Sequence, residues 1–374
     1  MQSNLMKSFL LTWCLAILFI GCSKMETEDP ITADQTSQQE AKSVATSNGI
    51  NQATLSGMQE EHPELKQGIT SILEPQQLTL KWPVGKRFVY EIGIDQVTSA
   101  GNSPLAAAMN SKADQNFTYA LTTRKDPASG NTQLEMEFLA TKLNMDMMGN
   151  KLNYDSDNKK AAESIDPMHS MLAGLDALMG QKLTMTLNPA GEITSVEGVD
   201  EMYEKVINAL PAAAKSVAQG IVQEDQFKQL IQYPFLPETA VKGGDKWNRI
   251  YTQVFGISGA MDIDNAYTYL GQTTQGEVQL NVLSYEGKVL AGQDQIDEMM
   301  GMKISMEGGK NTGLIKLDQI SGHIVESDAT QEMTMLMSVP EAMKAMLPGE
   351  TKISIQMSQK IRLKEVTDAD NSTK

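Results

Sequence analysis

Apolar and polar residues begin to alternate near Leu78, and the alternation returns in blocks almost to the C-terminus. In "KRFVYEIGID", Phe88, Tyr90, Ile92 and Ile94 share one side, and Arg87, Glu91 and Asp95 the other. This period of two predicts a half-buried strand. "FTYALTT" places Phe117, Tyr119 and Leu121 on one face. "RKDPASGN" reads as a turn, and "TQLEMEF" returns with Leu134, Met136 and Phe138 inward. After Ala140 the phase slips, so that Leu143, Met145 and Met147 carry the apolar face. A slip of one residue predicts a bulge. "KLTMTLNPAGEITSV" predicts a hairpin about Pro189-Ala190-Gly191.

Helical spacing interrupts the strands. "DPMHSMLAGLDALMG" has Asp166 as N-cap, Pro167 at the first helical position and Gly180 at the end. "DEMYEKVINALP" sets Tyr203, Val206, Ile207 and Leu210 on one stripe, and "EDQFKQLIQ" adds a short third segment. From residue 244 strands return. The longest alternation is "KISIQMSQKIRLK", with Ile353, Ile355, Met357, Ile361 and Leu363 on one face. The chain therefore reads as α+β, mainly antiparallel β, with a large curved sheet or sheets and a helical insertion at about 163–233. Its two halves, 76–235 and 236–367, repeat the order strand, turn with Gly, strand. That fits either a duplication or an ordinary meander repeating itself.

The N-terminal pattern differs. A short segment with one positive charge at Lys7 precedes an apolar run from about Ser8 to Ile20. The run has the length of a secretory core and is too short to span a bilayer. It stops at Phe19-Ile20-Gly21-Cys22, which resembles a lipoprotein cleavage box. Residues 1–21 are then a lipoprotein signal peptide and Cys22 the lipid attachment point. Cys14, the other cysteine, lies within the part removed. A single thiol in an exported chain is unusual, and a thioether-linked lipid accounts for it. Residues 22–75, rich in Gln, Ser, Thr and Ala, read as a disordered tether, and 368–374 as a disordered tail. The expected location is the bacterial envelope, at the outer membrane, facing the periplasm or the cell exterior.

Composition narrows the function. The formal net charge is -16. Such a chain is a poor nucleic-acid partner and is not drawn electrostatically to anionic lipid, so its membrane contact must come through the lipid. No G-x-S-x-G, H-E-x-x-H or Walker pattern occurs. His62, His169 and His323 are isolated in sequence and read as surface or capping residues. The acidic stretches "YDSDNKK" and "MDIDNAY" lack the glycine that a calcium loop needs. No cofactor is implied.

Methionine is the unusual feature, with 25 Met against 8 Phe. Met333, Met335 and Met337 fall on one strand face, as do Met302 and Met306 around Ile304. These residues suit a plain core, the soft lining of an apolar-ligand site, or Cu(I) held by thioethers, the last lacking any His or Cys partner.

Three stretches carry a family resemblance: "WPVGKRFVYEI", "LTMTLNPAGEITSVEG" and "LPETAVKGGDKW". Over roughly 76–365 the chain resembles a family of exported bacterial lipoproteins, of planctomycete type, that carries a domain of unknown function. That resemblance implies a fold and no activity. The expectation is a lipid-anchored, non-enzymatic binding or structural module for an apolar or envelope ligand. An envelope hydrolase with a dispersed carboxylate site is the alternative.

Overall fold

A computed structural model describes residues 23–24, 68–100, 110–147, 150–158, 167–189, 191–210, 227, 231, 233, 235–254, 260–290, 297–299, 302–338 and 351–369. Residues 1–21, expected to be a signal peptide, Cys22, most of the expected tether and residues 370–374 of the expected tail lie outside the described residues. So does His62.

The alternating segments form strands. The first half supplies β2 (Lys86–Ala100), β3 (Ser111–Lys125), β4 (Thr132–Met147), β5 (Asn150–Asp155), β6 (Lys182–Leu187) and β7 (Ile193–Glu197). The second supplies β8 (Lys246–Val254), β9 (Ala260–Gln275), β10 (Val278–Val289), β11 (Asp297–Met299), β12 (Met302–Asp318), β13 (Ile324–Ser338) and β14 (Thr351–Asp368). A two-residue strand, β1 (Ser23–Lys24), adds to the edge at β8.

All of these strands belong to one antiparallel sheet of fourteen, in the order β1-β8-β9-β10-β12-β13-β14-β2-β3-β4-β6-β7. β11 branches from β12 and β5 from β4. Among the described residues the sheet is open, since β1 and β7 do not pair with each other. Each half is a meander of sequence neighbours. The halves meet where the last strand pairs with the first long one: β14 runs along β2 from Ile353 opposite Ala100 to Asp368 opposite Lys86.

The register joins the alternating apolar sides into one inner face. The expected phase slip is present, because between Thr118 and Tyr119 the β3 partner moves from Ala140 to Phe138. The expected hairpin is present as β6 and β7, and residues 353–363 keep one face throughout. Two helices, α1 (Pro167–Leu178) and α2 (Val199–Ala209), cover the inner face of the first half. Leu178 of α1 and Met202 and Val206 of α2 pack with Tyr119, Leu121, Met136 and Leu183. Pro167 opens α1, as the sequence predicts. Residues 68–82 strap the second half. Ile69 packs on the outer face against Leu270, Val282 and Leu314, whereas Leu78 packs on the inner face with Tyr267 and Tyr269. The strap passes round the β9–β10 end, where Thr70 bridges to Gln272 and its carbonyl sits so close to Gly271 that a Cβ there has no room.

On the outer face the seam between the halves carries a cross-strand row of alternating charge: Lys316, Glu326, Arg362 and Glu91. Lys316 Nζ is 2.5 Å from Glu326, and Arg362 is 2.9 Å from Glu326 and 3.1 Å from Asp328. Opposite charges directly across strands stabilise the pairing by up to ~1 kcal/mol each.

Small residues let large ones lie flat on the inner face. A Cβ at Gly287 would strike Asn265 Oδ1, whereas a Cβ at Gly93 on β2 meets nothing within 4 Å. Gly287→Ala is therefore expected to destabilise by about 1–3 kcal/mol, and Gly93→Ala by less than ~0.5 kcal/mol. Urea denaturation of both variants measures the difference.

Candidate functional site

The inner face divides by height. Its lower part is aromatic and covered. Tyr90 stacks on Tyr119 at 5.5 Å, and Tyr267 contacts Trp247, Phe235 and Tyr285 at 5.9, 5.9 and 5.4 Å between centroids. Its upper part holds Met333, Met335 and Met337 beside Ile353 and Ile355, all buried. Met306 stands opposite Met335 and is half-buried, and Ile304 stands opposite Met337. Met302 lies at the start of β12. Pairing thus brings the β12 and β13 methionine strands together on one face.

Between the two parts runs a polar row. Asn265, Gly287, Asn311, Gln331, Met357, Gln96, Ala113 and Met145 stand in register across eight neighbouring strands. At the β9 end the amides satisfy one another. Asn265 Nδ2 donates to the hydroxyls of Tyr251 and Tyr267, each at 3.1 Å, and Asn311 Nδ2 donates to Asn265 Oδ1 at 3.3 Å. Across the seam this changes. Gln96, Gln115, Gln331 and Thr141 are at most 4% exposed. Gln96 Nε2 reaches Thr98 Oγ1 at 3.3 Å, but Gln96 Oε1, both amide atoms of Gln115, Gln331 Nε2 and Thr141 Oγ1 have no hydrogen-bond partner. Buried polar atoms are almost always paired, and each unpaired one costs on the order of 1–3 kcal/mol.

Charge stands at the margins of this face: Arg249 on β8 lies opposite Asn265 and turns to Glu238 at 3.3 Å, and Asp297 on β11 lies opposite Ile304. Between the rows of Phe88 and Ala100, from β9 across to β4, no Asp, Glu, Lys or Arg stands in register on the inner side among the described residues. The strand carboxylates alternate outward: Glu91, Asp95, Asp114, Asp264, Glu286 and Glu332 all take the opposite parity. Among the described residues these strands bring no acid/base pair together on the inner side, and no group of three His, Cys, Asp or Glu side chains is placed to hold a metal ion. Asp155, from one of the acidic stretches, caps Asp157 N and pairs with Lys142 at 3.2 Å. Asp262 of the other accepts from Thr252. Both are ordinary turn and strand partners.

His323 departs from expectation. It is 1% exposed, not a surface residue, because the turn between β12 and β13 folds under the strap. Its ring lies 4.3 Å from both Trp82 and Phe88, and Nδ1 is 3.4 Å from the Tyr90 hydroxyl. Burial pushes its pKa down to about 4; a backbone hydrogen bond at Lys81 and the Asp318 carboxylate oppose this only in part. Burial also raises Tyr90 well above its ordinary value and Tyr233 to about 12. His323 is thus a neutral core residue at pH 7. His169 lies on α1. Among the described residues, no helix is long and apolar enough to cross a membrane, which says nothing of strands.

With this geometry in hand, residues 129–324 match the model of a family of unknown function (DUF6263). The chain belongs to that family. The match runs from the turn before β4 to the start of β13, so it includes both helices and crosses from the first half into the second. No curated protein matches the sequence. Among solved structures, a lipovitellin described in terms of lipid–protein interactions aligns over 79% of this chain at 8% identity and a TM-score of 0.40. This chain covers only 26% of that protein's length. An outer membrane channel from Pseudomonas putida F1 aligns over 78% of this chain and 99% of its own, at 8% identity and a TM-score of 0.20. At such TM-scores the likeness extends to no ligand or activity.

The buried histidine sets a pH dependence. Its folded pKa of about 4 lies below the ordinary 6.5, so the unfolded chain binds the extra proton first. Stability is lost as pH falls from about 6.5 to about 4, by up to ~3 kcal/mol from this group. His323→Phe is expected to lose less stability over that window than the parent, as read from melting temperatures at pH 7, 5.5 and 4.5. Parallel curves for the two proteins would contradict the assignment.

Proposed function

We propose that this protein is a non-enzymatic envelope lipoprotein that holds an apolar ligand on the inner face of its sheet. The observation that carries the reading is the middle of the inner face, where among the described residues no charged side chain stands on β9 to β4 between the rows of Phe88 and Ala100, with Met333, Met335, Met337, Ile353 and Ile355 buried side by side above a row of amides. Methionine adapts its shape to irregular apolar partners at little cost. A site made of apolar side chains with a few polar groups is what small-molecule recognition uses. Met306, opposite Met335, extends the same lining on β12, and Met302 begins that strand. A hydrolase reading has no such support, since among the described residues the strands bring no two carboxylates together on the inner side.

Attachment through Cys22 completes the proposal. The apolar run ends at Gly21-Cys22. A diacylated thioether anchors stably where a single chain would not, and because Ser23 and Lys24 pair with β8 the anchor would lie beside that edge of the sheet. The outer membrane is the proposed address.

Two outcomes are expected. The full chain, stripped of lipid and refolded, binds a fluorescent fatty-acyl probe saturably at about one probe per chain, with Kd in the micromolar range or below. Linear, non-saturating uptake would overturn the ligand reading. Cys22→Ser abolishes incorporation of radiolabelled palmitate and moves the chain from the detergent phase to the aqueous phase. Continued labelling would overturn the anchor.

A further inference from the structure

The unpaired amides indicate what the ligand carries at its polar end. This inference rests on the ligand-holding reading above and narrows it to a chemical class. Gln331 on β13, Gln96 on β2, Gln115 on β3 and Thr141 on β4 form a staircase across the seam. Gln331 and Gln96 flank Met357 in one row. Gln115 stands one pair further along, opposite Ile94 and Leu143, and Thr141 one further again, opposite Phe117. All four side chains are more than nine-tenths buried, and each has an unpaired atom. Together they present both donors and acceptors, because an amide carries each and a threonine hydroxyl is both.

The four residues also lie where a ligand's polar end would meet its apolar end. Met335 and Ile353 stand above the staircase on β13 and β14. Among the described residues no cation stands on the inner side from β9 to β4 between the rows of Phe88 and Ala100, and Arg249 on β8, four strands from Gln331, is held by Glu238 and the Leu236 carbonyl. An anionic head group would be buried without a counter-charge, at a cost that an uncharged hydroxyl or ester does not carry. We propose that the staircase of Gln331, Gln96, Gln115 and Thr141 binds the uncharged hydroxyl and ester end of a neutral acyl lipid, of the acylglycerol class, with its chain along the methionine strip. The four residues position the ligand and carry out no chemistry on it.

The test is displacement of the fluorescent acyl probe from the full chain at pH 8 by monoolein and, separately, by oleate. Monoolein is expected to compete about tenfold or more better than the carboxylate. In the near-isosteric Gln96→Met/Gln115→Met variant this preference falls below about threefold, while the melting temperature of the lipid-free protein rises by a few degrees as unpaired amides are removed. Gln331→Met, two strands from Gln96, is read in the same way if the double variant does not fold. Equal or tighter binding of oleate overturns the inference, and so does a preference that survives the substitutions. In both cases acyl binding itself remains established. A chain that takes up no acyl probe overturns the ligand reading and this inference with it.

Discussion

Everything on the inner face depends on the pairing of β14 with β2. The two meanders are built locally, each strand beside its sequence neighbour. Only this contact, between residues 86–100 and 353–368, makes one sheet of them. It must be formed at large sequence separation, against chain entropy. The outer charge row Lys316-Glu326-Arg362-Glu91 favours one register there, because a slip of one residue would turn every apolar side chain on β14 outward. The seam also places Gln331 beside Met357 and Met357 beside Gln96, so the polar staircase exists only when the halves are joined.

The inner face is asymmetric about that seam. On the β9 side Asn265 is locked into two tyrosine hydroxyls and Asn311 donates to Asn265, with Gly287 making room for them. These groups specify packing. On the β13-to-β4 side the same kind of residue is left unpaired. A fold that satisfies its amides at one end of a row can do so at the other, and an orphaned amide is an energetic cost that a bound partner can remove. The lower face is closed by elements of known sequence position. α1 and α2 cover one half and the strap at 68–82 the other, with His323 held neutral between Trp82 and Phe88.

Much of the fold was legible as periodicity. The alternation in 88–94, 117–121 and 353–363 identified strands and their inward sides, the slip after Ala140 identified a bulge, and Pro189-Ala190-Gly191 identified a hairpin. Strand order was not legible, since nothing local in "KISIQMSQKIRLK" names β2 as its partner. The burial of His323 was hidden for the same reason, being created by a strap more than 200 residues earlier in the chain. The polar staircase left a faint signal: Gln96 and Thr98 continue the inward positions of Phe88 to Ile94, and Gln331 begins those of Met333 to Met337. Polar residues on the apolar phase mark a face that does more than pack. That signal became chemistry only when the register set the four residues side by side.

The most direct measurement is the lipid content of the protein as purified from membranes without delipidation. Solvent extraction and mass spectrometry of the full chain should return an uncharged acyl lipid at about one per chain, counted apart from any acyl group covalently held at the proposed attachment point, Cys22. A protein that carries no extractable acyl lipid, and melts at the same temperature before and after extraction, would contradict the account.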